Sequence, residues 1–260
     1  MSDALPAAGR RWLVVVAHPD DEVLGCGALL SRLTEVDVVH VTDGAPRNGD
    51  DARRHSFPDP AAYAAARWAE ARAALDVVAV PEARHHGFGV ADQGAAFRMA
   101  EVARRLVPLV ERADVVLTHA YEGGHPDHDA VACAVHAAAR LVGDRPVVEM
   151  PFYHAGPEGW IRQRFLPQRG AGDERAPALT TDEIALKRRM AACHATQGAT
   201  LAGFALDREA FRAAPAYDFT RLPHGGDLLY ERHGWGIDRT GWRVAARAAE
   251  ADLGLRSGPS

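Results

Sequence analysis

A histidine and three consecutive carboxylates stand directly after an apolar, β-branched run near the start of the chain. Residues 14–16 are three valines, typical of a buried strand, and the run leads into His18-Pro19-Asp20-Asp21-Glu22. Adjacent carboxylates repel one another, so a cation that neutralises them makes their position beside a histidine favourable. His18 and Asp21 offer one nitrogen and one oxygen ligand across a tight turn, a combination that suits zinc.

The competing interpretation of this first cluster is a helix amino terminus, whose acidic first turn complements the helix dipole. That interpretation accounts for Asp20, Asp21 and Glu22, but it gives His18 no role. Asp20 stands between the two candidate ligands and would lie close to the metal without necessarily binding it. Both interpretations stay open on this stretch alone, because short motifs often match by chance.

A second polar cluster follows another apolar run, at residues 114–118. The loop after this run contains Gly124-His125-Pro126-Asp127-His128. His125 and His128 are three residues apart at the predicted start of a helix, so both can face one side. Either could supply a third protein ligand, which would leave an open position for water, as catalytic zinc sites do. Two separate His-Pro-Asp clusters at strand ends rarely coincide by chance, which favours the metal site.

The elements that must position these clusters alternate between strand and helix. Strands are predicted at residues 12–17, 36–42, 76–80, 114–118 and 146–152, with 84–90 as a loop or an edge strand. Helices are predicted at residues 22–33, 61–75, 95–111, 130–141 and 180–197. This alternation favours an α/β fold with a mostly parallel sheet, whose ligands bind beyond the carboxyl ends of the strands. The long polar stretch 45–60 follows one such end and is typical of a lid or binding loop.

Composition and charge exclude several function classes. The 260 residues are 47% apolar and 25% charged, ample for a sizeable core, and the net charge is −5. A net negative charge does not indicate a binding surface for nucleic acid or an anionic membrane. No apolar run approaches the length needed to span a membrane. Three cysteines without paired spacing indicate a reducing compartment, and residues 1–10 lack an apolar secretory core. We therefore expect a cytoplasmic protein with no nucleic-acid partner and no membrane span; a homo-oligomer is left open.

The two clusters together resemble the LmbE-like, or PIG-L-type, zinc-dependent de-N-acetylases. The resemblance lies in Ala-His-Pro-Asp-Asp-Glu at residues 17–22, Gly-Cys-Gly at 25–27 and Gly-His-Pro-Asp-His at 124–128, in matching order and separation. Membership of this family would imply that His18, Asp21 and His128 bind zinc. It would also imply that Asp20 is the general base and that His125 assists the tetrahedral intermediate and the leaving amine.

The resemblance also implies a fold, a domain organisation and a cofactor. A single Rossmann-like domain would span residues 1–260, with its core at about 12–152 and a C-terminal cap at about 153–260. The likeness continues more loosely into the cap through Lys187, His194 and Gln197. Zinc is the implied cofactor, and another divalent metal such as Fe²⁺ is left open. A bound zinc ion would lower the pKa of its water towards ~7, and Asp20 would take the proton. Protonated His125 would then stabilise the oxyanion.

Four further residues are candidates around this centre. By the resemblance, Arg67 belongs to an Arg-x-x-Glu pattern and points at the site; the alternative is a surface ion pair within a helix. Asp92 would accept hydrogen bonds from sugar hydroxyls, or it is a plain turn aspartate. Some relatives carry a tyrosine at the position that Gly123 occupies in this chain. Tyr121, two residues earlier, is therefore the candidate for a substrate contact. Asp127 either orients a histidine or begins a helix.

Other aromatic and histidine side chains are expected to be structural. Trp235 and Trp242 could stack on a sugar, but the aromatic core of the cap is the favoured location for both. Histidines outside the two clusters are expected in structural or surface positions: His85, His86, His154, His224 and His233.

The predicted reaction is removal of the acetyl group from an N-acetylated amino sugar of the N-acetylglucosamine type, in a glycoside or conjugate. The substrate class follows from the resemblance, whereas the residues alone indicate metal-assisted amide hydrolysis. An amidase acting on another N-acyl or thiol-conjugate amide is one alternative, and a non-catalytic metal-binding protein is another. The presence of Asp20 favours hydrolysis. A dinucleotide site is excluded, because acids rather than Gly-x-Gly-x-x-Gly follow the first strand.

Overall fold

The computed structural model describes residues 9–255. Within this range the chain forms eight strands: β1 Trp12–Val16, β2 Val36–Pro46, β3 His85–Asp92, β4 Val115–His119, β5 Val147–Met150, β6 Tyr153–Gly156, β7 Gly159–Arg162 and β8 Arg212–Ala213. The α-helices of the same range are α1 Asp21–Leu30, α2 Asp50–Arg54, α3 Pro60–Val77, α4 Met99–Arg112, α5 Pro126–Leu141, α6 Thr181–Cys193, α7 Gly198–Leu201, α8 Leu229–His233 and α9 Arg239–Asp252. None of these helices is both long and apolar enough to cross a lipid bilayer.

The central sheet has the strand order β3-β2-β1-β4-β5-β8. The first five strands are parallel, and β8 pairs antiparallel with β5. The order of connection reverses between β1 and β4, and such a switch point opens a crevice at the carboxyl ends of the two strands. Since the two histidine clusters follow β1 and β4, the topology brings both to one crevice. The predicted mostly parallel α/β fold is confirmed.

Side chains of β1 alternate between two apolar layers, one on each face of the sheet. Leu13 and Val15 pack in the layer that contains α4, α5 and α9, whereas Val14 and Val16 pack in the layer that contains α1 and α6. All four are fully buried, and burial of each such side chain contributes roughly 1.5–3 kcal/mol. The strand that leads into the first cluster is therefore firmly held on both faces.

The strand predicted at residues 76–80 is wrong. Helix α3 begins after Asp59, whose carboxylate accepts a hydrogen bond from the Ala62 N–H at 2.8 Å, and it runs on to Val77. The alanine-rich sequence favours this longer helix. Residues 84–90, predicted as a loop or an edge strand, largely belong to β3, which pairs with β2 at one edge of the sheet and ends at Asp92. Strand β3 thus places the Asp92 carboxylate at the carboxyl end of a strand.

Helix α5 begins four residues earlier than predicted. Pro126 occupies its first turn, where a fixed φ and a missing N–H are tolerated, and His125 is the N-cap. His128 therefore lies in the first turn of the helix. At the start of α6, Thr180 is the N-cap and forms a capping box with Glu183.

A buried ion pair from the C-terminal half of the chain supports a kink in α1. The kink lies at Cys26, whose φ of −151° is not helical. The Glu209 carboxylate accepts hydrogen bonds from the N–H groups of Ala28 and Leu29 at 2.7 and 3.1 Å. Lys187 Nζ lies 2.9 Å from that carboxylate, and both side chains are buried. The pair thus satisfies N–H groups of the kinked helix and balances its own charge.

We expect Glu209→Ala to lower the free energy of unfolding by about 3–5 kcal/mol, because it leaves the Lys187 ammonium buried without a counter-ion. Urea denaturation followed by circular dichroism measures the loss. The control is Glu101→Ala, which removes an exposed ion pair with Arg98 and should cost less than about 1 kcal/mol. Equal losses in the two variants would contradict the role assigned to Glu209.

Candidate metal centre

Three side chains from two distant loops meet in the crevice between β1 and β4. His18 Nδ1 lies 3.2 Å from His128 Nε2; Asp21 Oδ2 lies 3.3 Å from His18 Nδ1, and Asp21 Oδ1 lies 3.3 Å from His128 Nε2. All three residues are buried. Ligands at about 2.0–2.1 Å from a tetrahedral zinc ion lie about 3.3 Å from one another. His18, Asp21 and His128, the metal trio, therefore match the separation of three ligands in such a site.

A second group of candidate ligands shares His18 with the metal trio and adds Asp92, His125 and Asp127. Asp127 is already committed to the backbone, since its carboxylate accepts hydrogen bonds from the N–H groups of Gln93 and Ala95 at 2.6 and 2.9 Å. Asp92 and Asp127 each lie 3.3 Å from His18 Nε2. A zinc-bound histidine usually donates its other ring nitrogen to a carboxylate. These two aspartates fit that supporting role, with His18 Nδ1 left to the metal trio.

Asp20 is held beside the metal trio in a strained backbone conformation. Its φ is +129°, a region that favours glycine. Its N–H donates to Glu22 Oε2 at 3.0 Å, while Arg67 donates to the Pro19 carbonyl at 2.7 Å and to Asp20 Oδ2 at 3.1 Å. Burial raises the pKa of Asp20 to about 6, although the Arg67 charge acts in the opposite direction. Strain held in place by several contacts is typical of functional sites.

Arg67 is buried under the site, so the alternative of a surface ion pair with Glu70 is wrong. Only 4% of Arg67 is exposed, and its Nη1 donates to the Gly44 carbonyl at 2.9 Å. Glu70 instead accepts hydrogen bonds from the N–H and hydroxyl of Thr196, at 2.9 and 2.6 Å. Gly44 has a φ of +63°, and a Cβ there would lie 2.8 Å from the guanidinium. The irregular end of β2 therefore needs glycine at residue 44 to accommodate Arg67.

Glu22 extends the polar network away from the metal trio. Its Oε2 accepts a hydrogen bond from His40 Nε2 at 2.8 Å, and its Oε1 lies 3.7 Å from His194 Nε2. Burial opposes ionisation, but the two histidines hold the pKa of the Glu22 carboxyl below its usual value. Sequence reasoning gave His40 no part in the site, and only the loose resemblance in the cap included His194. His40 lies inside β2 and His194 directly follows α6, and neither position carries a motif that could have assigned it to the site.

His125 borders the metal trio from the N-cap position of α5. Its Nδ1 accepts a hydrogen bond from the Asp127 N–H at 3.2 Å, so the proton of the neutral ring is on Nε2. That Nε2 lies 3.8 Å from Asp92 Oδ1, and the ring centroid lies 4.5 Å from that of His18. Burial lowers the pKa of His125 well below its usual value, and the nearby His18 adds to this effect. The surroundings thus favour a neutral ring that still carries one N–H donor, in contrast to the protonated His125 expected from the sequence.

The structure contradicts the expectation that Tyr121 contacts substrate. Its ring packs in the core, 4.8 Å from the Phe219 ring, and its hydroxyl donates to the Arg221 carbonyl at 2.7 Å. No side chain fits at Gly123 either, because a Cβ there would lie 2.6 Å from Leu228. The position at which some relatives carry tyrosine is therefore closed in this chain.

The two tryptophans of the cap differ in location. Trp242 is fully buried in the core, as expected, whereas Trp235 is partly exposed and its ring centroid lies 4.9 Å from that of His125. The expectation of a core position is therefore wrong for Trp235. The five histidines expected in structural or surface positions are absent from the described lining of the cavity at the site.

A cavity of about 240 Å³ opens over the metal trio. Its lining includes Asp51 of α2, so the polar stretch 45–60 does flank the site. Sequence reasoning missed most of the other lining residues, which no motif or period connects: Leu24, Gln93, Phe152, Tyr153, Trp160, Thr200, Leu201 and Phe204. Gln197, singled out only by the loose resemblance, also lines the cavity and donates to the Tyr63 hydroxyl at 2.7 Å.

Comparisons with known proteins found a matching family model and two relatives. Residues 13–139 match the family model described as PIG-L: GlcNAc-PI de-N-acetylase. A probable N-acetyl-alpha-D-glucosaminyl L-malate deacetylase 2 of Bacillus cereus is 27% identical over 152 residues, which cover 56% of this chain and 67% of that protein. A 1D-myo-inositol 2-acetamido-2-deoxy-alpha-D-glucopyranoside deacetylase of Kineococcus radiotolerans is 32% identical over 167 residues, covering 52% of this chain and 46% of that protein. The chain thus spans less than half the length of the Kineococcus protein.

The fold also has a counterpart among solved structures. A deacetylase from the biosynthesis pathway of teicoplanin aligns with a TM-score of 0.64 and 20% identity, over 80% of this chain and 99% of that chain. At this identity the likeness shows the fold, a mostly parallel sheet flanked by helices. The family match includes both loops of the metal trio, but it ends before the cap residues that line the cavity.

We expect the wild-type chain to bind about one zinc ion, and His128→Ala to lower the zinc affinity at least ~100-fold, because it removes one of three ligands. His125→Ala, at the other histidine of the same loop, should lower the affinity less than ~10-fold. Competition with a fluorescent zinc chelator measures both values. A larger loss in His125→Ala than in His128→Ala would assign the ion to the second group of ligands instead.

Proposed function

Because residues 13–139 belong to the PIG-L family, we propose that the chain is a metal-dependent N-deacetylase of an N-acetylglucosamine-type sugar in a glycoside or conjugate. The observation that carries this proposal is the metal trio with a buried, strained Asp20 beside it. The sugar class is supported by the names of the two curated relatives, both of which are deacetylases of glucosaminyl or acetamido-glucopyranoside conjugates.

The donor set of the metal trio suits zinc, with another divalent ion such as Fe²⁺ as the alternative. When bound, such an ion polarises the amide carbonyl and lowers the pKa of a water molecule towards ~7. Asp92 and Asp127, both near His18 Nε2, fix the orientation of this ring. They therefore keep the Nδ1 atom directed at Asp21 and His128 before any ligand arrives.

Asp20 is the proposed general base, which takes a proton from the attacking water. Its carboxylate is buried, and the hydrogen bond from Arg67 to its Oδ2 fixes the position of the acceptor oxygens. A base is most effective when its pKa lies close to the working pH, and burial raises the pKa of Asp20 to about 6. General-base catalysis of this kind typically accelerates a reaction ~10²- to 10⁴-fold.

His125 is proposed to donate a hydrogen bond from Nε2 to the amide oxygen as negative charge develops, while the proton that Asp20 has taken from water passes to the leaving amine as its C–N bond breaks. The Asp127 N–H occupies Nδ1, so the N–H donor of the neutral ring is Nε2. One well-placed donor of this kind is worth roughly 3–4 kcal/mol in the transition state. Asp92, 3.8 Å from that nitrogen, helps to hold the proton there between turnovers.

We expect Asp20→Asn to retain zinc and to lower kcat about 10²- to 10⁴-fold, because the amide cannot accept the proton of the attacking water. Release of free amine from N-acetylglucosamine and its glycosides measures kcat, and elemental analysis measures the zinc content.

The matched control is Asp43→Asn, near the carboxyl end of β2. Asp43 accepts hydrogen bonds from Arg47 and from the Ala45 N–H, outside the cavity lining, and its loss should change kcat less than about twofold. Full activity in Asp20→Asn would contradict the assigned base. A zinc-loaded wild type that releases no amine from any N-acetylated sugar would contradict the proposed function as a whole.

A further inference from the structure

Four aromatic side chains of the cap line the cavity next to the metal trio. The rings of Tyr153 and Trp160 stack with centroids 4.8 Å apart, and the Phe204 ring lies 6.0 Å from Tyr153. The Trp235 ring lies 5.9 Å from Trp160 and 4.9 Å from His125. All four, the aromatic wall, are partly exposed and line the cavity. The Trp235 ring also stacks on His233, with centroids 4.8 Å apart, so it is the remaining exposed part of these rings that offers an apolar contact surface for a flat or apolar ligand group.

The aromatic wall is a property of this chain beyond the family match, which ends at residue 139. Its position relative to the metal trio is nevertheless fixed. Gly124, next to His125, allows the hairpin β6–β7 to approach, because a Cβ at Gly124 would lie 2.0 Å from the Tyr153 carbonyl oxygen. The ring faces therefore stand at a set distance from the reacting centre, as a subsite for a neighbouring part of the substrate requires.

The charge of the cavity opposes an anionic group at this subsite. Among the described lining residues, Arg67 is the one with a permanent positive charge, and its guanidinium already donates to two backbone carbonyls and to Asp20. Asp51 and Asp92 add negative charge to the same lining. A carboxylate or phosphate at the aromatic wall would meet these acids, and apart from the proposed metal ion the described lining offers no unpaired cation, which disfavours such a group.

One other cation lies close to the aromatic wall. The Arg162 guanidinium lies 5.0 Å from the Trp160 ring centroid and 5.8 Å from that of Phe204. It is exposed, is absent from the cavity lining, and makes cation–π contacts with the two rings. An anionic substituent of the substrate at the rim of the cavity could form an ion pair with this guanidinium, so Arg162 is tested separately.

We infer that the aromatic wall binds the aglycone of the substrate, and that this aglycone is an uncharged ring with an apolar face, either an aryl group or a second pyranose. This assignment rests on the proposed function, since it places the N-acetylated sugar at the metal trio. It gives the chain a substrate class different from the malate conjugate named for the Bacillus cereus relative. A stacked ring of this kind contributes about 2- to 12-fold to binding.

The test compares amine release by the zinc-loaded full chain from four kinds of substrate. These are N-acetylglucosamine, its 4-nitrophenyl glycosides of both anomers, N,N′-diacetylchitobiose and N-acetylglucosaminyl malate. We expect kcat/KM for at least one neutral glycoside to exceed that for N-acetylglucosamine about tenfold, and the malate conjugate to show no such gain. The aryl and disaccharide substrates distinguish the two sources of an apolar ring.

Trp160→Ala should lower the ratio of kcat/KM between the preferred glycoside and N-acetylglucosamine about fivefold, mainly through KM, and Trp160→Phe should restore most of it. The control is Phe97→Ala, an aromatic side chain that is 63% exposed and outside the cavity lining, which should leave the ratio unchanged. Arg162→Gln should not change the relative rate on the malate conjugate. Quenching of tryptophan fluorescence by the 4-nitrophenyl glycoside, weaker in Trp160→Ala, provides a readout that needs no turnover.

Three results would overturn the assignment. The first is a preference for the malate conjugate that Arg162→Gln abolishes, because it would place an anion at the rim. The second is an equal loss on every substrate in Trp160→Ala, since the ring would then be merely structural. The third is the absence of both glycoside preference and fluorescence quenching. Failure of the proposed function has a different signature, namely no amine release from any substrate while the glycoside still quenches fluorescence.

Discussion

The site depends on the parallel pairing of β1 with β4, because it brings together two loops whose histidines are 110 positions apart. The pairing aligns Trp12 with Val115 and Val14 with Leu117. A slip of one residue would turn each side chain of a strand to the opposite face, and the donor atoms after the strand would separate. The apolar layers on both faces oppose such a slip, since Leu13 and Val14 are buried in different layers. The metal trio is thus positioned by hydrophobic packing several residues before its ligands.

Three consecutive carboxylates become compatible with burial because each has a different set of partners. Asp21 lies among His18, His119 and His128, whereas Asp20 pairs with Arg67. Glu22 pairs with histidines on the other side of the loop and also accepts the Asp20 N–H. Buried charges are tolerated only when paired, so this division of partners resolves the repulsion evident in the sequence. The strained φ of Asp20 follows, because the backbone must direct three adjacent side chains to three separate places.

The sequence was informative where chemistry and periodicity coincide. Valine runs followed by histidine and acids predicted both strands and the loops after them, and the structure brings their candidate ligands together. Edge strand β3 was uncertain because its His-His-Gly-Phe-Gly stretch has no clear period, and the false strand at residues 76–80 arose where an alanine-rich helix continues. The aromatic wall could not be predicted. Its members come from segments around residues 153–160, 204 and 235, and only tertiary packing decides that they meet, with Trp235 at the cavity and Trp242 in the core.

The cap and the metal centre are separate in sequence but share contacts at the loop before α5. The Leu229 N–H donates to the Gly123 carbonyl at 2.9 Å, His224 Nε2 lies 3.2 Å from the Glu122 carbonyl, and the Tyr153 carbonyl fits against Gly124. These contacts fall on the three residues before His125. A change in the cap that shifts this loop would therefore also shift His125 and His128. Substitutions of cap side chains that face the cavity, such as those of the aromatic wall, leave these contacts intact, whereas a shift of the cap backbone that contacts residues 122–124 does not.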